Sequence, residues 1–351
     1  MHIDGEPDMK AICITGHGGN EVVEVREHQL PERAPGEVRV QVRATTLNQV
    51  DLYMRNSGAG ITHRLPQIMG LDAAGTVEAC DASDPWLTPG QEVIIHPGVA
   101  CQRCEYCQRG DSALCKRIQF LGEHRDGTFA ESIQVPATQV FPKPAHLGWA
   151  EAAALGVTHL TAWRMLFSKA CLKPWETVLV FGIGGGVSLA ALQLAKAIGA
   201  RTIVTSREDA KLERAQALGA DHAINSKTHD VAKEVMACTN GRGVDVVFEN
   251  VGAAAWSSAM KSLARGGRLV TCGATTGDQP GADLRRIFVR QLQIFGSSLG
   301  TAGEFHDLLG FVERTGLRPI IDREYPFDDI HAALDHLESG TQFGKVALRV
   351  G

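Results

Sequence analysis

The sequence predicts a two-domain α/β protein, with a partly open β barrel in one domain and a doubly wound parallel sheet in the other. Up to about residue 150, short runs of alternating polar and apolar residues are separated by Pro-Gly pairs, which is typical of half-buried strands. After about residue 158, apolar strand-like runs alternate with helical periodicity, which indicates a parallel sheet. The length of 351 residues suits two domains.

The barrel domain is predicted to comprise residues 1–157 and 299–351. Its clearest strands by alternation are 36–42, 92–95 and 132–135. The last fifty or so residues hold a helical pattern at 330–338 and a strand pattern at 345–350. Because these follow the sheet domain in the chain, we expect them to return to the barrel and to complete it.

The doubly wound domain is predicted at residues 158–298. Two helices are expected, and each ends at a glycine suited to a C-cap; they are 188–198 before Gly199 and 208–218 before Gly219. Six strands are expected from short apolar runs, at 178–181, 202–205, 222–225, 244–249, 268–272 and 292–295.

Composition and charge exclude several classes of function. The formal charge is −5 without a basic run, so a nucleic-acid surface is not expected. The longest apolar stretch, 178–195, contains four glycines, a serine and a glutamine, so it predicts a strand, a turn and a helix rather than a membrane span. Residues 1–10 lack the apolar core of a signal peptide, and we expect a cytoplasmic protein.

Four cysteines form the most specific motif of the chain. Their spacing is C-x2-C-x2-C-x7-C, and four thiolates make a closed tetrahedral site for one structural zinc ion. The predicted ligands are Cys101, Cys104, Cys107 and Cys115, in a surface lobe at about 98–117 that the metal folds. Disulfides are the alternative, but they need an oxidising compartment and a special turn. The other five cysteines are expected to be small buried apolar residues.

A glycine-rich turn lies between the first strand and the first helix of the second domain. Glycine permits a tight turn and close approach of a pyrophosphate, and the helix N-terminus adds amide donors. This context, rather than the glycines alone, predicts a dinucleotide site. Ser188 stands where the third glycine of the fingerprint is usual. The residues expected to contact the pyrophosphate are Gly182, Gly184, Gly185, Gly186 and Val187.

The end of the second strand bears on the choice of dinucleotide. An NAD site usually has a carboxylate there, bonded to the ribose hydroxyl, whereas this chain has Ser206 and Arg207, with Lys211 one turn later. A guanidinium suits a ribose phosphate, so we expect NADP(H). In the alternative, Arg207 and Lys211 form a solvated helix face and Glu208 or Asp209 binds the ribose of NAD.

Together these segments resemble the medium-chain dehydrogenase/reductase superfamily over nearly the whole chain. The matching segments are 47–55, 69–75, the four-cysteine lobe, the glycine turn, 241–247 and 344–346. The resemblance implies a GroES-like barrel domain, a Rossmann domain, an active-site cleft between them and a small-molecule substrate. It also implies a homodimer or homotetramer paired through the Rossmann sheet edge, at about 292–300.

The departures from zinc alcohol dehydrogenases are informative. The positions that hold their catalytic zinc resemble Asn48, Leu71 and Gly156 or Val157 here, and the proton-relay hydroxyl is replaced by Val50. None of these side chains is a good zinc ligand. The pair Asn48 and Asp72 instead resembles the quinone oxidoreductase branch, which works without a catalytic metal. Three further histidines lack a partner at ligand spacing, namely His63, His96 and His159.

Roles follow from the resemblance for residues outside the glycine turn. The residues expected near the nicotinamide and its ribose are Thr161, Asn250, Val251, Gly252, Gly273, Ala274, Gly296 and Ser297. Lys345 is expected near the cleft, and it is also predicted to bind the cofactor. Relatives often carry a tyrosine near the adenosine phosphate where this chain has Ser226, which weakens the NADP prediction.

The predicted activity is hydride transfer from NADPH to a quinone or an activated alkene without catalytic zinc. Delocalised negative charge in such an acceptor needs only hydrogen bonds. Tyr53 or water is expected to supply the proton, Asn48 to orient the carbonyl or the ribose, and Asp51 to anchor a backbone turn or an arginine rather than act as a base. The alternatives are a zinc-type alcohol dehydrogenase with unrecognised ligands and a non-catalytic NADPH-binding protein.

Overall fold

The computed structural model describes residues 8–81 and 83–351, which divide into two compact units. Unit 1 contains the described residues up to Val157 together with Thr301–Gly351, and unit 2 contains Thr158–Gly300. Unit 1 is therefore built from two separate parts of the chain, whereas unit 2 is continuous. Within the part of the chain that the structure describes, no helix has the length and the apolar character needed to cross a bilayer.

The strands and helices are numbered here in chain order. The strands are β1 (Asp8–Ile14), β2 (Val23–Gln29), β3 (Glu37–Thr46), β4 (Gln67–Ile68), β5 (Asp72–Ala79), β6 (Glu92–Ile95), β7 (Gly98–Val99), β8 (Gln119–Phe120), β9 (Ser132–Pro136), β10 (Val140–Pro142), β11 (Thr177–Val180), β12 (Arg201–Ser206), β13 (His222–Asn225), β14 (Val244–Glu249), β15 (Leu263–Thr271), β16 (Gln293–Gly296), β17 (Ile321–Pro326) and β18 (Lys345–Arg349). The α-helices are α1 (Gln49–Ser57), α2 (Glu105–Gln108), α3 (Trp149–Ala153), α4 (Leu160–Trp163), α5 (Gly186–Ala197), α6 (Asp209–Ala217), α7 (Val231–Cys238), α8 (Ala253–Ser262), α9 (Leu284–Arg290), α10 (Ala302–Thr315) and α11 (Ile330–Ser339). Two π-helical turns, Leu155–His159 and Arg164–Lys169, flank α4.

Unit 1 is built on a curved sheet in the order β10-β6-β5-β3-β18-β17, with β9 also paired to β3. A smaller sheet, β2-β1-β4, accompanies it. In the first part of β3 every second residue is buried, namely Val38, Val40 and Val42, and these belong to the main core of the unit. Because side chains alternate across a strand, this pattern fixes which face of β3 is buried there. The mainly antiparallel pairing agrees with the predicted GroES-like barrel.

The strand β18 brings the end of the chain into the middle of this sheet. It pairs antiparallel with β3 and parallel with β17. Beyond the paired residues, the Leu47 N–H donates to the Val346 carbonyl at 2.9 Å. Residues near 345 and residues near 48 are consequently neighbours, although almost three hundred positions separate them.

Unit 2 is a parallel sheet in the order β13-β12-β11-β14-β15-β16. This is the 3-2-1-4-5-6 order of dinucleotide-binding sheets, in which ligands bind beyond the carboxyl ends of the strands where the order reverses. All four residues of β11 are buried, because helices cover both faces of such a sheet. The predicted α/β fold class is confirmed.

Several predicted elements coincide with the observed ones. The bounds of β6, β13 and β14 match those predicted, and the other predicted strands and helices differ by a few residues at their ends. The sequence analysis did not identify β1, β2, α3, α7, α8 or α10. The last of these begins with a capping box, in which Thr301 and Glu304 exchange hydrogen bonds, a pattern that is readable from sequence.

Candidate active site and metal centre

The four predicted zinc ligands converge in unit 1. Their sulfur atoms all lie within 4.8 Å of one another, with 4.0 Å between the Sγ atoms of Cys101 and Cys107 and 3.5 Å between those of Cys104 and Cys107. A tetrahedron with Zn–S bonds of about 2.3 Å has edges of about 3.8 Å. A disulfide needs about 2.05 Å, so the arrangement fits zinc and not two disulfides.

Backbone amides complete the cysteine lobe. The N–H groups of Cys101 and Arg117 donate to the Cys115 sulfur, each at 3.4 Å. These two bonds fix the position of the Cys115 sulfur within the lobe. Among the described residues, no other group of three or more His, Cys, Asp or Glu side chains converges in this way. The expectation that the other five cysteines are buried is correct for Cys13, whereas Cys80, Cys238 and Cys272 are half-buried and Cys171 is exposed.

The glycine turn of unit 2 has the backbone shape that its residue types require. Gly182 and Gly184 have positive φ angles of 66° and 117°, which glycine adopts without strain. The helix α5 follows at Gly186. Ser188, in the place of the third glycine, donates from its hydroxyl to the Phe181 carbonyl at 2.8 Å. This bond ties the first turn of the helix to the end of the strand.

Two polar atoms just after β14 and β16 are buried and lack a hydrogen-bond partner among the described residues. They are the Oδ1 atom of Asn250, whose amide donates to the Ser188 hydroxyl at 3.0 Å, and the hydroxyl of Ser297. A Cβ at Gly273 would lie 2.8 Å from the Asn250 carbonyl, and one at Gly252 would lie 2.5 Å from a backbone oxygen. A buried polar atom without a partner is unusual and is the type of group that a ligand satisfies.

The residues at the end of β12 are mostly engaged with one another. The Lys211 ammonium pairs with Glu208 at 3.0 Å, and Asp209 accepts from the Asn225 amide at 2.7 Å. The Ser206 hydroxyl accepts from the Glu208 N–H at 3.2 Å. Arg207 is exposed and makes no hydrogen bond or ion pair within the described residues.

The remaining predicted cofactor residues of unit 2 occupy the same edge or the nearby helices. Thr161 is buried in α4, and Val187 lies in the first turn of α5. Ala274 follows β15, Gly296 ends β16, and Ser226 donates to the Ser206 carbonyl. The contact of each with a dinucleotide stays a prediction.

Unit 1 contains a buried cluster around Asp72 at the positions that resemble the catalytic zinc site of the family. The Lys345 ammonium donates to the Leu47 carbonyl at 2.7 Å, to Asn48 Oδ1 and to Asp72 Oδ2 at 3.2 Å. Asn48 donates to the same Asp72 oxygen at 2.9 Å, and Thr46 does so at 2.6 Å. All three N–H bonds of the ammonium are therefore used within the protein.

The second oxygen of Asp72 is buried and has no partner in the described part of the chain. A Cβ at Gly156 would lie 2.6 Å from it, which is closer than van der Waals contact permits. Glycine at position 156 is thus required by the carboxylate at position 72. Leu71, at the position of the family's histidine ligand, is buried as an apolar side chain.

Charge and burial compete within this cluster. Burial lowers the pKa of Lys345, and the neighbouring Asp72 partly restores it. Burial raises the pKa of Asp51 to about 7, although its carboxylate accepts the Asn48 N–H at 2.6 Å. Asp51 therefore holds the start of α1 and fixes the backbone of Asn48, which is the anchoring geometry that the sequence analysis expected.

The predicted proton donor Tyr53 lies on α1 and is 38% exposed. Burial raises its pKa, and its hydroxyl has no protein partner among the described residues. Its catalytic role, and those of Asn48, Asp51 and Lys345, stay predictions. The sequence analysis did not single out Glu123, a half-buried carboxyl in the loop that packs against Gly70.

The three histidines considered as extra metal ligands have separate surroundings. His96 is buried with Nδ1 3.0 Å from Gln139 Oε1, and His159 lies 3.4 Å from both Thr158 and Gln193. Both ring nitrogens of His63 are buried without a partner in the residues described, and its ring centroid lies 5.2 Å from that of His17.

Each of the two units contains a segment that matches a known protein family. Residues 34–145 match the alcohol dehydrogenase GroES-like domain, and residues 186–314 match the zinc-binding dehydrogenase family. A zinc-type alcohol dehydrogenase-like protein of Schizosaccharomyces pombe is 32% identical over 95% of this chain and 96% of its own. The chain belongs to the zinc-type medium-chain dehydrogenase/reductase superfamily. It is accordingly an oxidoreductase, and its cysteine lobe is able to hold a structural zinc ion.

Three further proteins are also similar over most of their length. The NAD-dependent alcohol dehydrogenase of Saccharolobus solfataricus is 30% identical, with 97% of this chain and 99% of that protein covered. A crystal structure of an NAD-dependent alcohol dehydrogenase is 41% identical with a TM-score of 0.94, covering 98% of this chain and all of that one. A crotonyl-CoA carboxylase/reductase is 29% identical with a TM-score of 0.91, covering 98% and 88%.

Proposed function

We propose that this oxidoreductase transfers hydride from NADPH to an activated alkene or a quinone without a catalytic metal. The observation that supports the proposal is the cluster of Lys345, Asn48 and Asp72 at the positions that resemble the family's catalytic zinc site. Carboxamide, ammonium and carboxylate form a closed hydrogen-bonded set there, and neither a thiolate nor an imidazole is among them. Bound NADPH supplies the hydride, as nicotinamide cofactors do.

The residues of the cluster favour acceptors whose charge is delocalised. Reduction of a simple ketone places full negative charge on one oxygen, which a Lewis acid usually stabilises. An enal, an enone or a quinone spreads that charge, so hydrogen-bond donors suffice. The Asn48 side chain is bonded to Lys345, to Asp72 and, at 3.4 Å, to the Thr46 carbonyl, and its backbone is held by Asp51. The cluster is therefore rigid before a substrate arrives, and it offers no thiolate or imidazole to a metal ion.

The preference for NADPH is proposed from the end of β12. The nearby carboxylates of Glu208 and Asp209 are engaged with Lys211 and Asn225, whereas the Arg207 guanidinium is exposed. An unpaired guanidinium suits a ribose phosphate. Two of the relatives carry NAD-dependent in their names, so the choice needs a direct measurement. Arg207→Ala should raise KM for NADPH about tenfold and leave KM for NADH unchanged, with exposed Lys261→Ala as the matched control.

One substrate separates the proposed reaction from the alternative. Crotonaldehyde reduced at its C=C bond gives butanal, and reduced at its C=O bond it gives crotyl alcohol. We expect butanal with NADPH, about one zinc per chain, and turnover of an ortho-quinone. Crotyl alcohol with two zinc ions per chain would establish the alcohol dehydrogenase alternative, which the names of the relatives favour. Cofactor binding without any turnover would leave a non-catalytic protein.

We also propose that two chains pair through the edge of the unit 2 sheet. The edge strand β16 has Ile294 39% exposed, and the adjacent helix α9 has Leu284 71% and Phe288 70% exposed. An apolar surface beside an unpaired strand edge is suited to association with a second copy. Light scattering should show a dimer or a tetramer, and Phe288→Glu should yield a smaller species. A monomer at micromolar concentration for the unchanged protein would contradict this pairing.

A further inference from the structure

The loop Leu121–Phe129 presses against the strand end that carries Asp72. A Cβ at Gly122 would lie 2.5 Å from the Gly70 carbonyl oxygen, and one at Gly127 would lie 2.2 Å from that of Met69. The Thr128 hydroxyl donates to the Asp72 carbonyl at 2.8 Å. Because the two backbones are in contact at both glycines, Gly122 and the residue that follows it are held against Gly70, two positions before Asp72 in the chain.

That residue is Glu123, and its carboxyl is not compensated by its neighbours. The Arg125 guanidinium on the same loop forms an ion pair with Glu37 at 3.8 Å. The His124 ring accepts the Phe120 N–H at 3.2 Å, and Asp126 accepts the Ile68 N–H at 3.2 Å. Within the described residues no donor bonds to Glu123, yet its oxygen atoms are not among the fully buried unpartnered ones. The carboxyl is thus poorly hydrated but accessible.

Other charged groups face Glu123 from the elements behind the loop. Asp51 on α1 is close enough for the Glu123 charge to raise its pKa. Lys345 on β18 is committed to Asp72 on β5, so that ammonium does not neutralise Glu123. Burial lowers the pKa of His63, and the charges of His17 and His124 lower it further. Burial raises the pKa of Glu123 to about 7, so much of it carries a proton at neutral pH.

We propose that Glu123 is the proton donor of the active site. The inference rests on the proposed function and names a further catalytic residue for it. Hydride adds to the β-carbon of the unsaturated carbonyl, the C=C π bond breaks, and the electron pair moves onto the α-carbon and the oxygen. The carboxylic acid of Glu123 then gives its proton to the α-carbon, and the carboxylate that remains takes a proton from water.

Glu123 suits this role better than Tyr53. A general acid is most effective when its pKa is close to the working pH. Burial moves the pKa of Glu123 up to about 7, towards neutrality, whereas burial moves the pKa of Tyr53 further above its ordinary value near 10. The loop contacts at Gly122 and Gly127 also fix Glu123, while Tyr53 is on the exposed side of α1.

The test compares Glu123→Gln, Glu123→Asp and Tyr53→Phe with the unchanged protein, using crotonaldehyde and NADPH. Loss of a general acid should lower kcat of Glu123→Gln by about 10²–10⁴ with little change in KM, and Glu123→Asp should recover part of it. Glu78→Gln, on an exposed carboxyl, is the matched control. Zinc content and thermal melting should be the same in all variants, which establishes that they fold.

Two further readouts separate catalysis from structure. Since the proton must be present, kcat/KM of the unchanged protein should be constant at low pH and fall as the pH rises through about 7; the fall should disappear in Glu123→Gln. Carbon NMR of labelled glutamate in the cofactor-free protein should show one carboxyl titrating near that pH, absent in the same variant.

The outcomes that overturn the inference are distinct from failure of the proposed function. If the unchanged protein makes butanal and Glu123→Gln keeps its kcat and its pH profile, Glu123 is not the donor. If only the Tyr53→Phe variant loses turnover, Tyr53 is the proton donor and Glu123 is not. If the unchanged protein makes only crotyl alcohol, or turns over neither crotonaldehyde nor an ortho-quinone, the proposed function itself is wrong, and the assignment of Glu123 falls with it.

Discussion

Two regions of unit 1 resemble, in sequence, the two metal positions of zinc alcohol dehydrogenases, and they differ in kind. The cysteine lobe has four sulfur atoms within 4.8 Å of one another, with amide donors to Cys115 and spacings that match a zinc tetrahedron. The Asp72 cluster closes on itself, with Lys345 supplying the positive charge.

The difference teaches that the two positions depend on different stabilising groups. In the lobe, short helices and turns bury little apolar surface, so a bound metal ion would be what holds the segment together. In the cluster, a dense core surrounds the polar groups, and a buried carboxylate is tolerated only with a charged partner and hydrogen bonds. An ammonium on β18 fulfils that need without any ion.

The largest effect is expected from removing a zinc ligand. Cys107→Ser replaces a thiolate by a hydroxyl, which zinc binds poorly, so bound zinc should fall from about one per chain to near zero and the melting temperature should drop sharply. Emission spectrometry and calorimetry measure both. Cys171→Ser, at an exposed cysteine, is the control and should change neither. Retention of zinc in the first variant would mean that the lobe is not its site.

The second prediction concerns the ammonium that occupies the other region. Lys345→Met leaves the Asp72 carboxylate buried without its cation, and breaking a buried pair costs about 3–5 kcal/mol of unfolding free energy. Lys10→Met removes the exposed pair with Asp328, at 3.3 Å, and should cost at most about 1 kcal/mol. Urea titration measures both. Equal losses of unfolding free energy in the two variants would show that the buried ion pair is no more important for stability than the exposed one.

A double variant sharpens the second prediction. Adding Asp72→Asn to Lys345→Met removes the uncompensated charge, so the loss in the double variant should be smaller than the sum of the single losses. Strict additivity would show that the two side chains stabilise the protein independently.

The smallest effect is expected at Gly156. A methyl group there would lie 2.6 Å from the free Asp72 oxygen, and forcing extra volume into a packed site costs about 1–3 kcal/mol. Gly310→Ala, in the helix α10 with open space around it, should instead stabilise the protein by about 0.5–1 kcal/mol. Opposite signs in thermal melting would confirm that the carboxylate, and not alanine itself, determines the loss at position 156.

The fold was readable from sequence where local patterns were strong. β6, β13 and β14 were predicted with their observed bounds, because turn residues delimit short apolar runs. The segment from α3 to the second π-helical turn was not predicted, since most residues in it are buried and its apolar pattern has no clear helical period. β1 and β2 were missed because charged residues make up much of β2, so the sequence of this hairpin does not show a clear apolar strand pattern.

The candidate site could be predicted from the sequence only in part. Local spacing identified the four cysteines, and the strand-turn-helix context identified the glycines. The bond from Lys345 to Asn48 spans 297 positions, so no local pattern indicates it. Glu123 is one acid among several in a polar loop, and it is distinguished only by the packing of Gly122 against Gly70, which is a tertiary contact.

The position of β18 has a consequence for the synthesis of the chain. Unit 2 is continuous and is complete once residue 300 has been made, so it is able to fold while the remainder is still being translated. Unit 1 must wait for β18, because that strand lies between β3 and β17 and carries the ammonium that neutralises Asp72. Until then its sheet has an open edge, and an unpaired strand edge is a site at which nascent chains can aggregate.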